Sequence, residues 1–247
     1  MKKRAALCIR GAISKIGSRF TYKNTIYSTN SEYINYKSVY NSIKKHIIDA
    51  NVDYDVDVFL QSWNYDIKDE LISLYKPVSH LIEDNAIYFD EIESKCNKAD
   101  DFGGISQALA IQKVLTLKEI HENYNNFKYD IVILFRPDVL IWTDMIFSKY
   151  DTSYFYTDGH QENQGDIHFV MSSMHANVFK NLYLSLDNGN YHELHGWIKR
   201  YIIDYCKFSI RSDILKPGFH QEVLRQILET SVAKGFITEE QIKSYDY

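Results

Sequence analysis

Three prolines and ten glycines in 247 residues leave this chain few places to turn sharply or to part into separate units. With no internal repeat, low-complexity tract or Pro/Gly-rich linker, the expectation is one domain over 1–247. Cysteine is equally sparse. Cys8, Cys96 and Cys206 lie far apart and none belongs to a CxxC pair, which argues against a disulfide framework and for a reducing compartment. No segment approaches the roughly 20 apolar residues of a membrane span. Behind the basic start "MKKRAALCIRG" the apolar stretch is only Ala5 to Ile9, too short for a signal peptide. The expected location is therefore the cytoplasm, free or at a membrane periphery, with no transmembrane segment. Positive charge is not in excess: the formal net charge is -5 and the pI near 6.0, which argues against non-specific binding to nucleic acid. Three signatures are also missing. There is no GxxxxGK[ST] phosphate loop, no GxGxxG after the first strand ("RGAISKIG" has other spacing) and no GxSxG elbow. These absences disfavour a P-loop NTPase, a dinucleotide oxidoreductase and a serine hydrolase.

What is present is apolar content of 45%, enough for a core, and twenty tyrosines. The tyrosines reflect base composition for the most part, and some are available to stack on a sugar or a base. The run Ile131 to Phe135 is apolar at every position, as in a strand buried on both faces. Ala5 to Ile9 and Asp55 to Gln61 read as further strands, and Val78 to Ile82 as a third before the central one. Gly11 to Thr29 reads as a loop. Ser31 is the expected N-cap of a helix to about Ala50, with Tyr36, Tyr40, Ile43 and Ile47 at helical spacing. "DDFGG", Asp100 to Gly104, is expected to break the chain ahead of a helix from Ser106 to Tyr124. That helix has one apolar row of Ala108, Ile111 and Leu115 and a neighbouring row of Val114, Leu117 and His121. Strands near Ser153 to Thr157 and Ile167 to Met171 follow, then helices near Ser173 to Leu186, His192 to Tyr205 and His220 to Ala233. The alternation over the first ~140 residues implies a mostly parallel central sheet with covering helices, of the Rossmann-like, nucleotide-binding kind.

Ligands in open α/β sheets bind at the carboxyl ends of strands. The residues just past each strand are Arg10-Gly11, Gln61-Ser62-Trp63-Asn64 and Arg136-Pro137-Asp138. A charged pair closing the most buried strand either makes a solvated turn or meets a charged ligand. Asp138 suits Mg²⁺ or Mn²⁺ shared with substrate phosphates. Pro137 stiffens the turn, and Arg136 either pairs with the same phosphates or locks Asp138. Asp166, in "GDIHF" and shortly after Asp158-Gly159, is either a base for an acceptor hydroxyl or a strand-start cap. His220 or Glu222 completes a metal shell, binds a phosphate at a helix N-terminus, or is an ordinary first-turn residue. His160 and His168 lie near Asp166, but no HExxH or paired-His spacing is present, so a dedicated zinc site is not expected.

In order along the chain, "RAALCIRGAIS", "DVDVFLQSWN", "LYKP", "KYDIVILFRPDVLIW" and "GDIHFVMSS" resemble a group of bacterial and large-virus glycosyltransferases of GT-A-like fold that build capsular or surface glycans. The resemblance spans about residues 4 to 180. It implies a transferase moving a sugar from a nucleotide-diphosphate donor to a glycan acceptor, with residues to about 140 binding the donor and about 141–247 the acceptor. It also implies that Ile9, Arg10 and Gly11 line the nucleotide site and that Ser62 and Trp63 lie beside the base or ribose. "RPD" stands where such enzymes carry DxD, which implies that Asp138 holds metal and diphosphate, and Asp166 matches an acidic residue near the sugar and acceptor. Two departures bear on this. Arg136 replaces the first Asp of DxD, so the cation has one carboxylate, or is dispensable if Arg136 neutralises the diphosphate. "GDIHF" carries two residues where the group shows one, which shifts the register of Asp166. A non-catalytic nucleotide- or glycan-binding module and a nucleotidyltransferase stand as alternatives.

Overall fold

The computed structural model describes residues 2–13, 33–98, 101–158, 165–186, 194–212, 220–223 and 237–245. Four parallel strands form one half of a mixed sheet: β1 (Lys3–Ile9), β2 (Tyr54–Ser62), β3 (Ser79–Ile82) and β4 (Ile131–Phe135). Beyond β4 the sheet continues with β6 (Phe155–Thr157), β7 (His168–Met171) and β8 (Ile210–Arg211). Its order is β3-β2-β1-β4-β7-β6-β8, and β7 runs antiparallel to β4 and to β6. A separate ribbon pairs β5 (Val139–Ile141) with β9 (Gln221–Val223). The fold is thus α/β with a mostly parallel seven-stranded sheet, as the alternation implied.

β1 and β4 lie at the centre and are apolar on both faces because helices cover both. Ala5, Leu7, Ile9, Ile131, Ile133 and Phe135 pack with Val39 and Ile43 of α1 (Tyr36–Ile43) and Leu71 of α2 (Lys68–Tyr75). The alternate residues Ala6, Cys8, Val132 and Leu134 pack against α4 (Asp101–Asn125), α5 (Ser173–Phe179) and α6 (Leu194–Arg200). The period of two along each strand thus builds a three-layer core. All three cysteines are free, and burial pushes the Cys8 thiol up to about 12, as expected of a packing residue.

Several expectations need correction. The first helix is capped by Asn35, whose side chain accepts from the Ser38 N–H, and it passes into a π-helical turn, Lys44–Ile48. Ser31 and most of the expected 11–29 loop lie outside the described residues. α2 and α3 (Phe89–Ser94) are short and bury few side chains, Leu71 and Tyr75 in one and Ile92 in the other, so they leave little periodic signal. "DDFGG" does not break the chain: α4 starts at Asp101. The Asp101 carboxylate accepts from the N–H groups of Asn97 and Lys98 at 2.9 Å each, while Phe102 and Ile105 are buried. Those anchors outweigh the entropic cost of the glycines. A methyl added at exposed Gly103 would meet nothing within 4 Å. Gly103→Ala should therefore stabilise the chain by about 0.5–1 kcal/mol, measured by denaturant unfolding.

His220 does not open a helix. It lies in a turn before β9, and its carbonyl accepts from the Trp142 N–H at 3.0 Å. Gln221 is wholly buried beside β5, and that strand pairing takes the place of the expected helix start. The rest of that expected helix, 224–233, lies outside the described residues. The chain's last described helix, α7 (Glu239–Lys243), starts with a capping box from Thr238 and Gln241. Ile242 and Tyr245 then pack on Leu140 and Trp142 of the ribbon. No helix among the described residues is long and apolar enough to cross a membrane.

Candidate functional site

The pairing register decides which residues meet. Ile9 is paired with Leu60 on one side and Phe135 on the other, and Phe135 with His168. One step further, Gln61, Arg10 and Arg136 lie side by side at the carboxyl ends of β2, β1 and β4. β7 runs the other way, so Asp166, just before it, reaches the same edge. β6 ends there too, and Asp158 follows the Thr157–Phe169 pair. The sheet thus gathers two arginines and three aspartates from four segments of the chain, with Gln61 of β2 beside them.

Their bonding is unequal. Arg136 forms a two-pronged ion pair with Asp138, donating from Nε to Oδ1 and from Nη2 to Oδ2 at 2.8 Å each. Its Nη1 donates to Asp166 Oδ2 at 3.0 Å. Burial alone would depress the Arg136 pKa, but the charges of Asp138 and Asp166 reverse this and hold it above its ordinary value. Arg136 and Asp138 are both buried, so the charged pair closing the central strand is not a solvated turn.

Arg10 differs. It is 1% exposed. Its Nη1 donates to Gln107 Oε1 of α4 at 3.0 Å and its Nη2 to the Asp166 carbonyl at 2.5 Å, both neutral acceptors. Its Nε has no partner. Burial pulls its pKa down to about 10 against the opposing charge of Asp166. A buried guanidinium hydrogen-bonded to no carboxylate is costly unless a further anion completes it.

Asp158 is the mirror case. It is 5% exposed and neither carboxylate oxygen has a hydrogen-bond partner. Burial pushes its carboxyl up to about 7, with the charge of Asp166 adding to the rise. The N–H groups of Asp158 and Ile167 oppose the rise from outside hydrogen-bond geometry. Polar capacity is unspent nearby as well. Gln61 Oε1 accepts from the Gly11 N–H at 3.0 Å, but Gln61 Nε2 has no partner. His168, with its pKa driven down to about 3 by burial, is a neutral imidazole. Its Nδ1 accepts from Gln221 Nε2 at 2.7 Å, which places its proton on an Nε2 that has no partner. Buried polar atoms normally find partners, so this accumulation makes the sheet edge the candidate ligand surface.

The other expected site residues fall into place unevenly. Ile9 belongs to the core, and Gly11 turns the chain at a φ of 102°, in the left-handed region suited to glycine. Ser62 is buried and bonded within its own turn, its Oγ donating to Asn64 Oδ1 at 3.0 Å. Asn64 pins Ile13 by accepting from its N–H at 2.7 Å. Trp63 leans on Tyr88 over the α4 layer, with ring centroids 5.7 Å apart. His220 stands opposite Trp142, four residues from Asp138 and so roughly 13 Å along the ribbon at strand spacing. At that separation Asp138 and His220 do not ligate one ion together, and Asp138 already accepts from Arg136 at both oxygens. Among the described residues no three His, Cys, Asp or Glu side chains are grouped to hold a metal. A cavity of about 570 Å³ lined by Lys2, Lys3, Asn51, Tyr54 and Ser148 opens at the opposite, amino edge of the sheet, away from this chemistry.

Sequence spacing had flagged Arg10, Arg136, Asp138 and Asp166. It also noted Gln61 among the strand-end residues, gave Asp158 no role of its own although it directly follows β6 at this edge, and passed over Gln107 inside a helix. No family model matches the chain, and no curated protein matches it either.

Proposed function

We propose that the chain is a glycosyltransferase that binds a nucleotide-diphosphate sugar at the carboxyl edge of its sheet and passes the sugar to a glycan acceptor. The observation that carries this reading is Arg10, a buried cation bonded only to neutral acceptors at the end of the first strand. A diphosphate supplies the missing anion, and a fixed guanidinium stabilises the charge that grows on it as the sugar leaves. Arg136 then serves to hold Asp138 and Asp166. The order of the motifs along the chain supports the same reading. So does the β3-β2-β1-β4 parallel half-sheet, whose carboxyl edge suits a nucleotide.

A second reading has its own support. Arg136 and Asp138 satisfy one another, as in a network that merely ties strand ends together, and a binding module without turnover would need no more. A thermal-shift panel of UDP-, GDP-, CMP- and dTDP-sugars, each with and without Mn²⁺, separates these. One donor at about 100 times its dissociation constant should stabilise the chain by about 2.7 kcal/mol. Incubation should then release free nucleoside diphosphate. Pyrophosphate release would point instead to a nucleotidyltransferase, and binding with no release over hours to a module. Comparing the Mn²⁺ arms tests whether the donor's diphosphate brings a divalent cation with it.

A further inference from the structure

We propose that Asp158 is the residue that takes the proton from the acceptor hydroxyl, an inference that rests on the glycosyltransferase reading. Three geometric facts carry it. Asp158 directly follows β6 at the edge where Arg10 and Arg136 end their strands. Its two oxygens are buried and bonded to nothing. Gly165 is shaped to it: a Cβ there would lie 2.1 Å from Asp158 Oδ1 and 2.4 Å from its Cγ, so the backbone before β7 closes on the carboxylate only because residue 165 has no side chain. Asp166, the acidic residue expected for this role, has Oδ2 occupied by Arg136 and is the less available acceptor.

Charge balance points the same way. Besides the N–H groups of Asp158 and Ile167, the charged groups acting on Asp158 among the described residues are Asp166 before β7, Arg136 after β4 and Arg10 after β1. With Asp138 included, two cations face three carboxylates, so the cluster is neutral while Asp158 holds a proton and gains one buried negative charge when Asp158 ionises. A proton or a hydrogen-bond donor on Asp158 relieves it. Its carboxyl, raised to about 7, is poised to exchange a proton near neutrality, where a general base is most effective.

The step balances. The acceptor O–H bond breaks and its proton goes to an Asp158 oxygen. The hydroxyl oxygen's electron pair forms the new bond to the anomeric carbon. The bond from that carbon to the diphosphate oxygen breaks, and its electron pair leaves on the diphosphate beside Arg10. A single displacement of this kind inverts the anomeric configuration.

The test is transfer by wild type, Asp158→Asn and Asp158→Glu over a pH range, with donor affinity measured separately by calorimetry. Asp158→Asn should lose about 10²- to 10⁴-fold in kcat while binding donor within a few-fold of wild type. Wild-type kcat/KM, which follows ionisation of the free chain, should fall as pH drops through about 7, Asp158→Asn should lack that limb, and Asp158→Glu should recover part of the rate. An Asp158→Asn chain that melts cooperatively and keeps kcat within about tenfold, with the acidic limb intact, overturns the assignment and leaves the glycosyltransferase reading standing. A wild-type chain that binds no donor and transfers no sugar overturns both.

Discussion

At about pH 8 the Asp158→Asn chain should resist unfolding better than wild type by about 4 kcal/mol, and below about pH 4 the two should unfold nearly together. The Asp158 carboxyl moves from an ordinary 3.8 in the unfolded chain to about 7 in the fold, chiefly through burial. Below 3.8 it is protonated in both states and costs nothing. Between 3.8 and 7 the unfolded chain gives up its proton while the folded chain keeps it, so unfolding is increasingly favoured as pH rises. Above 7 the folded state carries the buried charge and the penalty is complete. The difference of about three pH units, at about 1.4 kcal/mol each, gives the figure above. Denaturant titrations of both chains at several pH values check it. Equal stability at all pH values would show that Asp158 is solvated or paired. Stabilised by the same substitution that removes turnover, the chain would display the conflict between stability and function common at active sites.

Lys118→Met should destabilise the chain by about 3–5 kcal/mol. Lys118 and Glu122, four residues apart on α4, are both wholly buried. Lys118 Nζ donates to Glu122 Oε2 at 3.0 Å, to Ser173 Oγ at 2.9 Å and to Asn177 Oδ1 at 2.6 Å. Glu122 also accepts from Ser173 Oγ at 2.5 Å and from the Tyr129 N–H at 3.0 Å. Burial alone would raise the Glu122 pKa, but these hydrogen bonds and the Lys118 charge outweigh it and hold it below its usual range. The Lys118 pKa is lowered, chiefly by burial. The network locks α4 to α5 and to the start of β4. Removing the lysine leaves a buried carboxylate whose one remaining counter-ion among the described residues is Lys128, exposed on the rim. Adding Glu122→Gln should recover much of the loss, because the amide keeps an acceptor for Ser173 and Tyr129 without the charge. Thermal melts of the single and double variants measure it. A single variant as stable as wild type would mean that the pair contributes nothing net.

The central sheet was legible because its physics is local. A strand covered on both faces must be apolar at every position, and Ala5 to Ile9 and Ile131 to Phe135 are. The placement of Arg10, Arg136 and Asp138 followed, since residues just past parallel strands share an edge. Elements held by distant partners were not legible. β8 is two residues paired to β6, and β9 owes its form to β5, eighty residues earlier in the chain. No local pattern separates such a strand from the first turn of a helix, which is why His220 was misplaced. Gly103 and Gly104 concealed the start of α4, although Asp101, Phe102 and Ile105 anchor it. Within the site the pattern marked which charges would gather but not how they would pair. That Arg136 is spent on Asp138 while Arg10 and Asp158 stand without ionic hydrogen bonds depends on distances that no spacing encodes.

Arg10 bears most of the weight, and calorimetric titration of nucleoside diphosphates into wild type and Arg10→Gln tests it most directly. One diphosphate should bind wild type, and loss of the guanidinium should weaken it by about 10- to 100-fold, as expected for a charged hydrogen bond, in a variant that still melts cooperatively. Equal affinity in the two chains, or no heat from any of the diphosphates with wild type, would mean that the buried arginine serves the fold alone.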